Sequence, residues 1–362
     1  MNDLHISKSF VCLGKNEDTC LGCKYCRLLD GSTKGFNFDT IPTDINPIFT
    51  FLPIAVNLFY GDALLQQGRT LDILHRLNKA KHQGPIVIIT KGDFTKFPKL
   101  NFDLDIHFAF STFGKDYKLE GGTVDQFLNN LKESKRYGKY KYSIEYRPII
   151  NGINDDEKTI NFVLDTAKKY GLAVGYSGLQ GKPELVKYWD DEGLKFKQYP
   201  GFKFGYKKYI SAEVEQLIQD NAKERNVPIF KKTSCLISYV HGLTRDYNAH
   251  YYRPNEVGCN GCVMEEKCTT FYNNLSADEP LLTIPFKYSL DYKSDHVCVL
   301  KRKGICKSFT PDCSMIKGWV IRITEKITTA DVRVIKWLTG FTVDANFEES
   351  SELSNKWKVK TI

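Results

Sequence analysis

Short apolar runs alternate with helical segments over the first half of this sequence, and this alternation limits the possible folds more than any other feature. Several of the runs lack a strict apolar–polar alternation, which is typical of strands covered on both faces. Regular strand–helix alternation favours parallel strands joined by right-handed crossovers. The sequence therefore predicts an α/β fold, a partial (β/α)6 TIM barrel, with strands at 6–12, 54–60, 85–90, 104–111, 142–150 and 172–177.

Helical signals fall between these runs. Residues 69–82 carry leucines at helical spacing, and Thr123 with Gln126 has the spacing of a capping box, in which each side chain satisfies a free amide. Asn154 is the predicted N-cap of the next helix, and Gly171 is its predicted end. These helices supply the crossovers that a parallel sheet needs.

The chain divides into three predicted parts. Residues 1–198 form the barrel, and 199–282 form a cysteine-rich region with a helix that follows its N-cap, Ser211. Residues 283–362 form a small C-terminal α+β extension with a helix near Thr329, and no function follows from that extension.

Composition and charge set the cellular context. No apolar run approaches the ~18 residues that span a bilayer, and residues 1–11 do not resemble a signal peptide. We therefore expect a cytoplasmic protein without a membrane segment. The net charge of +8 is compatible with an anionic partner such as nucleic acid or a nucleotide.

The cysteines are grouped by spacing. Thiols stay reduced in the cytosol, so metal binding explains the eleven cysteines better than disulfides do. Soft thiolates suit iron–sulfur clusters and zinc alike, and Cys-x2-Cys is also a zinc half-site. The first group is Cys20, Cys23 and Cys26, the second is Cys235, Cys259, Cys262 and Cys268, the third is Cys298, Cys306 and Cys313, and Cys12 stands alone.

The first group resembles the C-x3-C-x2-C signature of radical S-adenosylmethionine (SAM) enzymes. The part from Gly22 to Cys26 matches well, but Thr19 stands where the family has its first cysteine. Either Cys20 takes that place in a tighter loop, or Cys12 does so from the end of the first strand. The resemblance implies a [4Fe–4S] cluster with one open iron that binds SAM. It also implies reductive cleavage of SAM to a 5′-deoxyadenosyl radical, hydrogen abstraction from a substrate, and an electron donor such as flavodoxin or ferredoxin.

Residues at the strand ends extend the resemblance. Gly61 and Asp62 resemble the motif that receives the SAM ammonium group, or they form a simple turn. Lys91 follows a threonine, as in spore photoproduct lyase-like members, and a cation there would meet the SAM carboxylate. Ser111 would bond the ribose. The resemblance thus implies one cofactor contact at each of these strand ends.

The last strands and the cysteine loop supply the remaining candidates. Arg147 opens the stretch Arg-Pro-Ile-Ile-Asn-Gly-Ile-Asn-Asp, similar to one in several radical SAM enzymes that has Pro in place of Asn151. Arg147 would grip a carboxylate with two hydrogen bonds, or form a salt bridge with Glu145. Ser177 would lie near the adenine, and Tyr25 is the remaining cofactor-binding candidate.

The second cysteine group resembles part of the auxiliary-cluster (SPASM and twitch) extensions. Four thiolates close a [4Fe–4S] cluster or a zinc site completely. The full SPASM pattern needs another cysteine where Tyr272 stands. We therefore predict one auxiliary cluster, with zinc as the alternative. The segment 241–253 that joins Cys235 to Cys259 either lines a substrate pocket or is a solvated loop.

The substrate is predicted from cations interleaved with aromatic rings. Residues 195–209 and 132–142 have this character, which suits phosphates and stacked bases or an ordinary solvated surface. Together with the spore photoproduct lyase-like resemblance, this favours a nucleic acid or nucleotide. Alternatives are a radical SAM enzyme that modifies a peptide or metabolite, and a zinc-stabilised nucleic-acid-binding protein without catalysis. The third cysteine group supplies candidate hydrogen donors by analogy, or core thiols.

Overall fold

The computed structural model of this 362-residue chain describes residues 9–10, 21, 23, 25, 54–56, 62–79, 81–82, 84–180, 208–242, 261–267, 288–292, 297–301, 319–329, 342–350 and 357–361. Nothing below concerns the structure of the other residues. No helix in the described ranges is long and apolar enough to cross a membrane.

An eight-stranded sheet forms the centre of the described structure. Its first six strands pair in chain order and all run parallel, which confirms the predicted α/β fold with a curled half-barrel. They are β1 (Ser9–Phe10), β2 (Ile54–Val56), β3 (Ile86–Thr90), β4 (Ile106–Thr112), β5 (Lys141–Ile149) and β6 (Val174–Gln180).

Two short strands from the predicted second part join the same sheet. β7 (Lys208–Tyr209) pairs antiparallel with the carboxyl end of β6, and β8 (Ile229–Phe230) pairs parallel with its amino end. Two-residue strands carry too little apolar pattern to be recognised in a sequence. The sheet therefore continues past residue 198 along the chain.

Five helices accompany the described strands: α1 (Gln67–Lys79), α2 (Val124–Ser134), α3 (Glu157–Tyr170), α4 (Ala212–Arg225) and α5 (Thr233–Val240). Three predicted caps are confirmed. Thr123 and Ser211 accept hydrogen bonds from the first turns of α2 and α4, and Gly171 ends α3 in the left-handed conformation, with φ of 67°. The capping residues thus predicted these three helix boundaries correctly.

Two capping predictions are wrong in detail. The N-cap of α3 is Asp156, whereas Asn154 is fully buried and bonds the backbone of the β5–α3 loop and of Phe113. The side chain of Gln126 does not complete a capping box, because it donates to Asp93 and Asn130 instead. In both cases a tertiary contact outcompetes the local pattern.

The two faces of the half-barrel pack against different partners. Phe108 and Tyr142, with their neighbours on the same face, form the main core with the crossover helices. The other face of β4–β6 contacts α5. Arg147, near the carboxyl end of β5, donates a hydrogen bond to Thr233 at the start of α5. His107, near the amino end of β4, contacts His241, the residue that follows the end of α5. Helix α5 therefore runs antiparallel to the strands across the inner face.

The C-terminal part contributes two smaller sheets. β9 (Tyr288–Tyr292) pairs antiparallel with β13 (Trp357–Thr361). β11 (Trp319–Thr328) pairs antiparallel with β10 (Val297–Lys301) and parallel with β12 (Thr342–Glu348). Strands of the predicted α+β extension are thus present, whereas its predicted helix lies outside the described residues except for Thr329.

Candidate functional site

Four polar side chains meet at the carboxyl end of the sheet, and we call them the Cys23 cluster: Cys23, Tyr25, Lys91 and Glu120. The Cys23 thiol donates to Glu120 Oε1 at 3.1 Å, and the Tyr25 hydroxyl donates to Glu120 Oε2 at 2.6 Å. Lys91 forms an ion pair with Glu120, contacts the Tyr25 hydroxyl, and lies 4.0 Å from Cys23 Sγ. A soft thiol thus lies beside a carboxylate and an ammonium group.

The sheet topology brings these residues together. Lys91 follows β3 directly, and Glu120 lies in the loop between β4 and α2, at the edge where parallel strands gather their active-site loops. The ring of Tyr25 stacks on Phe113 at the end of β4, with centroids 5.7 Å apart. The cysteine loop is therefore packed against the strand ends, as its position after the first predicted strand implied.

Burial controls the protonation of the cluster. It raises the pKa of the Cys23 thiol to about 11, against the opposing pull of Lys91 and with the help of Glu120. Burial also raises the pKa of Tyr25 well above its ordinary value, and the Glu120 charge adds to this. For Glu120, burial pushes the pKa up, but Lys91 and the hydrogen bonds from Tyr25 and Cys23 outweigh it, so the net pKa is lowered. Cys23 is therefore a neutral thiol unless a metal displaces its proton.

An opening borders the cluster on the side of α2. Two predicted cofactor contacts, Lys91 and Ser111, line it together with Thr112, Lys115, Glu120 and Thr123. Two ammonium groups, one carboxylate and three hydroxyls thus border this opening.

Asp62 has a different environment from the one that its motif predicted. It is buried, and its carboxylate accepts hydrogen bonds from the amides of Leu64 and Lys91 and from the Thr90 hydroxyl. Its bonds fix the turn after β3 that presents Lys91. Gly61, its partner in the motif, lies outside the described residues.

Arg147 and Ser177 contact residues outside the Cys23 cluster. Arg147 Nε lies 3.5 Å from Glu145 Oε2, and its Nη1 donates to Thr233 at the start of α5. The Ser177 hydroxyl accepts from Lys208 of β7 at 3.5 Å. The salt-bridge alternative for Arg147 is thus present.

The other predicted metal ligands are partly described. Cys235 on α5 and Cys262 are half-buried thiols outside any disulfide, and they pack against the same small apolar group, which includes Met264. Cys298 lies on β10 opposite Arg322. Within the described ranges, no three or more His, Cys, Asp or Glu side chains are arranged to hold a metal. The predicted residues outside those ranges are Cys12, Cys20, Cys26, Cys259, Cys268, Cys306 and Cys313.

Glu120 is the site residue that sequence reasoning missed. It lies in a long loop and matches no spacing rule. The available signal was its place in Glu120-Gly121-Gly122 after the fourth predicted strand, because an acid beside two glycines permits close backbone approach.

A second polar group, which we call the histidine cluster, lies at the amino end of the same strands: Asp105, His107, Lys141, Ser143 and His241. Ser143 Oγ lies 2.7 Å from His107 Nε2, His107 Nδ1 lies 3.2 Å from His241 Nε2, and His241 Nδ1 lies 2.8 Å from Asp105 Oδ2. Because Asp105 only accepts, every proton in this chain points towards it when both imidazoles are neutral. His241, the first residue of the segment 241–253, is thus buried here.

The electrostatics of the histidine cluster agree with neutral imidazoles. Burial lowers the pKa of His107 well below 6.5, and nearby His241 lowers it further. Burial also lowers the pKa of His241, although Asp105 opposes this. For Asp105, burial raises the pKa, but His241 and Lys141 outweigh it and bring it to about 2.

The basic, aromatic segment 132–142 proves to be mostly core on its aromatic side. The hydroxyls of Tyr137, Tyr140 and Tyr142 each bond to protein backbone, and their rings pack with Phe94 and Phe108. These three rings therefore contribute to the core. The other basic stretch, 195–209, is described only from residue 208.

Comparisons with solved structures return distant likenesses of fold. Neither protein-family models nor curated proteins match the chain. A solved structure of a radical SAM methyltransferase from Sphaerobacter thermophilus is similar, with a TM-score of 0.41 and 13% identity. The match covers 61% of this chain and 65% of that one. It is a distant similarity of fold.

Proposed function

We propose that this protein is a radical SAM enzyme whose [4Fe–4S] cluster binds Cys23 and two further cysteines of the same loop. The observation that carries the proposal is the Cys23 thiol at the carboxyl edge of a parallel half-barrel, 3.1 Å from Glu120 and beside Lys91. Chemistry in such barrels is built from these strand-end loops. The cysteine spacing supplies the other half of the argument.

The residues present fit the cofactor. The Cys20, Cys23 and Cys26 set offers three soft ligands, which leave one iron of a four-iron cluster without a protein ligand. The high pKa of Cys23 argues against an activated nucleophile, and metal binding would remove its proton. When bound, the reduced cluster supplies one electron that splits SAM into methionine and a 5′-deoxyadenosyl radical, which then takes a hydrogen atom from the substrate.

The chain's own residues would hold SAM and shield it. We assign the SAM ammonium group to Glu120, because its carboxylate lies beside Cys23 and lines the opening, whereas Asp62 holds the turn after β3. Lys91 would face the carboxylate, and Ser111 the ribose, since both line the same opening. Tyr25 would support the site by stacking on Phe113, which lines the opening.

Iron and EPR measurements test the proposal. Anaerobically purified protein should contain about four irons per site and give a reduced EPR signal that shifts when SAM is added. Four thiolates at Cys235, Cys259, Cys262 and Cys268 would raise the total to about eight irons, or would hold zinc. Tightly bound zinc without iron after reconstitution would replace this proposal with the zinc-stabilised binding protein.

Two serine variants identify the first ligand. If Cys20 is the ligand, C20S loses the SAM-dependent EPR shift, whereas C12S keeps it. The reverse pattern would assign the ligand to Cys12. Loss in neither variant would contradict a three-cysteine site in this loop.

The substrate class is a separate proposal. We propose a nucleic acid or nucleotide, with hydrogen return by Cys298, Cys306 or Cys313 and electrons from a flavodoxin or ferredoxin. The net charge of +8 supports an anionic substrate. Binding of labelled DNA and RNA, measured by anisotropy across a salt series, tests this, and no affinity at low salt would favour the peptide or metabolite alternative.

A further inference from the structure

The loop between β4 and α2 approaches the cysteine loop with no space for a side chain. A Cβ added to Gly121 would lie 2.0 Å from the carbonyl oxygen of Leu21, a backbone atom that cannot rotate away. A Cβ on the next residue, Gly122, would meet Lys91 Cβ at 3.5 Å, Lys91 O at 3.8 Å and Glu120 Oε1 at 3.9 Å, all ordinary contact distances. The requirement for glycine is therefore specific to position 121.

The close approach places a backbone donor on the cysteine sulfur. The Gly121 amide donates to Cys23 Sγ at 3.3 Å, across 98 residues of sequence. The neighbouring Gly122 amide donates to Glu120 Oε1 at 3.1 Å, so it stabilises the carboxylate and not the sulfur. Two adjacent glycines thus have separable roles.

We infer that Gly121 is a positioning residue that holds the cysteine loop and tunes the reduction potential of the cluster through its amide hydrogen bond to Cys23. This inference rests on the proposed function. Hydrogen bonds to ligand sulfurs stabilise the more negative, reduced state of iron–sulfur clusters, and so raise their potential. The donor comes from a distant loop, so loop packing and potential are linked.

G121A and the matched control G122A test the inference. In G121A the added methyl group forces the two loops apart, so the amide moves out of reach of Cys23. We expect the midpoint potential, from an EPR-monitored redox titration, to become more negative in G121A and to stay at the wild-type value in G122A. Equal potentials in both variants and wild type would overturn the inference.

A second measurement uses protein without the iron–sulfur cluster. In iron-free protein, alkylation of Cys23 by iodoacetamide, followed by peptide mass spectrometry, should be faster in G121A than in G122A or wild type. Equal rates would overturn the inference alone. Wild-type protein without any iron–sulfur cluster would instead overturn the proposed function, and with it the tuning of the potential.

A reverse variant covers the case in which G121A does not fold. In iron-free C23A, the Gly121 amide loses its acceptor, so its hydrogen exchange should speed up about tenfold, the equivalent of one ordinary hydrogen bond. The Gly122 amide keeps its bond to Glu120 and should not change. Unchanged exchange at Gly121 would contradict the bond.

Discussion

The Cys23 cluster and the histidine cluster lie at opposite ends of the same strands, yet their surroundings differ. Glu120 and Lys91 of the Cys23 cluster line an opening, and its thiol comes from a separate loop. In the histidine cluster, His107 and Ser143 are fully buried, and the hydrogen-bond chain closes on Asp105. The same kinds of polar residue therefore suit ligand binding at the carboxyl end and stability at the amino end.

Removal of the Cys23 thiol should have the largest effect on SAM cleavage. It should affect only the site at the carboxyl end of the strands. C23S should lose the cluster and at least about 10³-fold of SAM cleavage, because a cluster with two cysteine ligands is not retained. Its free energy of unfolding, from urea titration of iron-free protein, should change by less than about 1 kcal/mol. Retained iron with normal SAM cleavage would remove Cys23 from the site.

Neutralisation of Glu120 should have the next largest effect on catalysis. E120Q keeps the shape but removes the charge that would face the SAM ammonium, so SAM cleavage should fall about 10²-fold. D125N, an exposed acid on α2, is the control and should stay within about twofold of wild type. A wild-type rate in E120Q would return the ammonium site to Asp62 or to another residue.

At the amino end of the strands we expect the opposite pattern, a loss of stability without a loss of iron. H107A removes the buried partner of Ser143 Oγ and of His241 Nε2, so it should lower the free energy of unfolding by about 2–4 kcal/mol. Iron content and SAM-dependent EPR of the folded fraction should be unchanged. The control H75A, an exposed histidine on α1, should cost less than about 0.5 kcal/mol. A loss of iron in H107A would show that the Cys23 cluster and the histidine cluster do not act independently.

The weakest effect is a dependence of stability on pH. Because His107 and His241 have folded pKa values below 6.5, the unfolded chain binds more protons than the folded chain once the pH falls below 6.5. Stability should therefore be constant above pH 7 and should decrease by up to about 1.4 kcal/mol per pH unit for each imidazole below 6.5. Asp105 adds a further loss between pH 3.8 and about 2.

Urea titrations of iron-free protein at several pH values would measure this slope. H107Q removes one of three buried imidazoles among the described residues, the third being His82, whose pKa burial lowers to about 4, so its slope between pH 6.5 and 5 should be shallower than that of wild type. Identical slopes would show that His107 is not the group that titrates. A shallower slope in H107Q would also show that the loss of stability in acid arises at the amino end of the strands.

Much of the fold was predictable because strand length and apolar content are local properties. All six predicted strands are present, and the caps at Thr123, Ser211 and Gly171 are correct. The two-residue strands β7 and β8 were not predictable, because pairing with β6 defines them. The Asn154 prediction failed for a similar reason, since its three bonds depend on the folded loop.

The candidate site was predictable only where a motif carried it. Cys23 and Lys91 were found from signatures, and the structure brings them together. Glu120 was missed because its role depends on a contact between loops about a hundred residues apart in the sequence. The histidine cluster was missed because residues from β4, β5 and the end of α5 meet only in three dimensions.

The position of α5 also has a consequence for the order of synthesis. The ribosome produces β5 and β6 before residues 233–240, so the inner face of the sheet stays uncovered until α5 has been made. On β5 that face carries Ser143, Glu145 and Arg147, which water can solvate in the meantime. A nascent chain stalled before α5 would therefore expose a polar surface there, which gives neighbouring chains on a polysome little reason to aggregate.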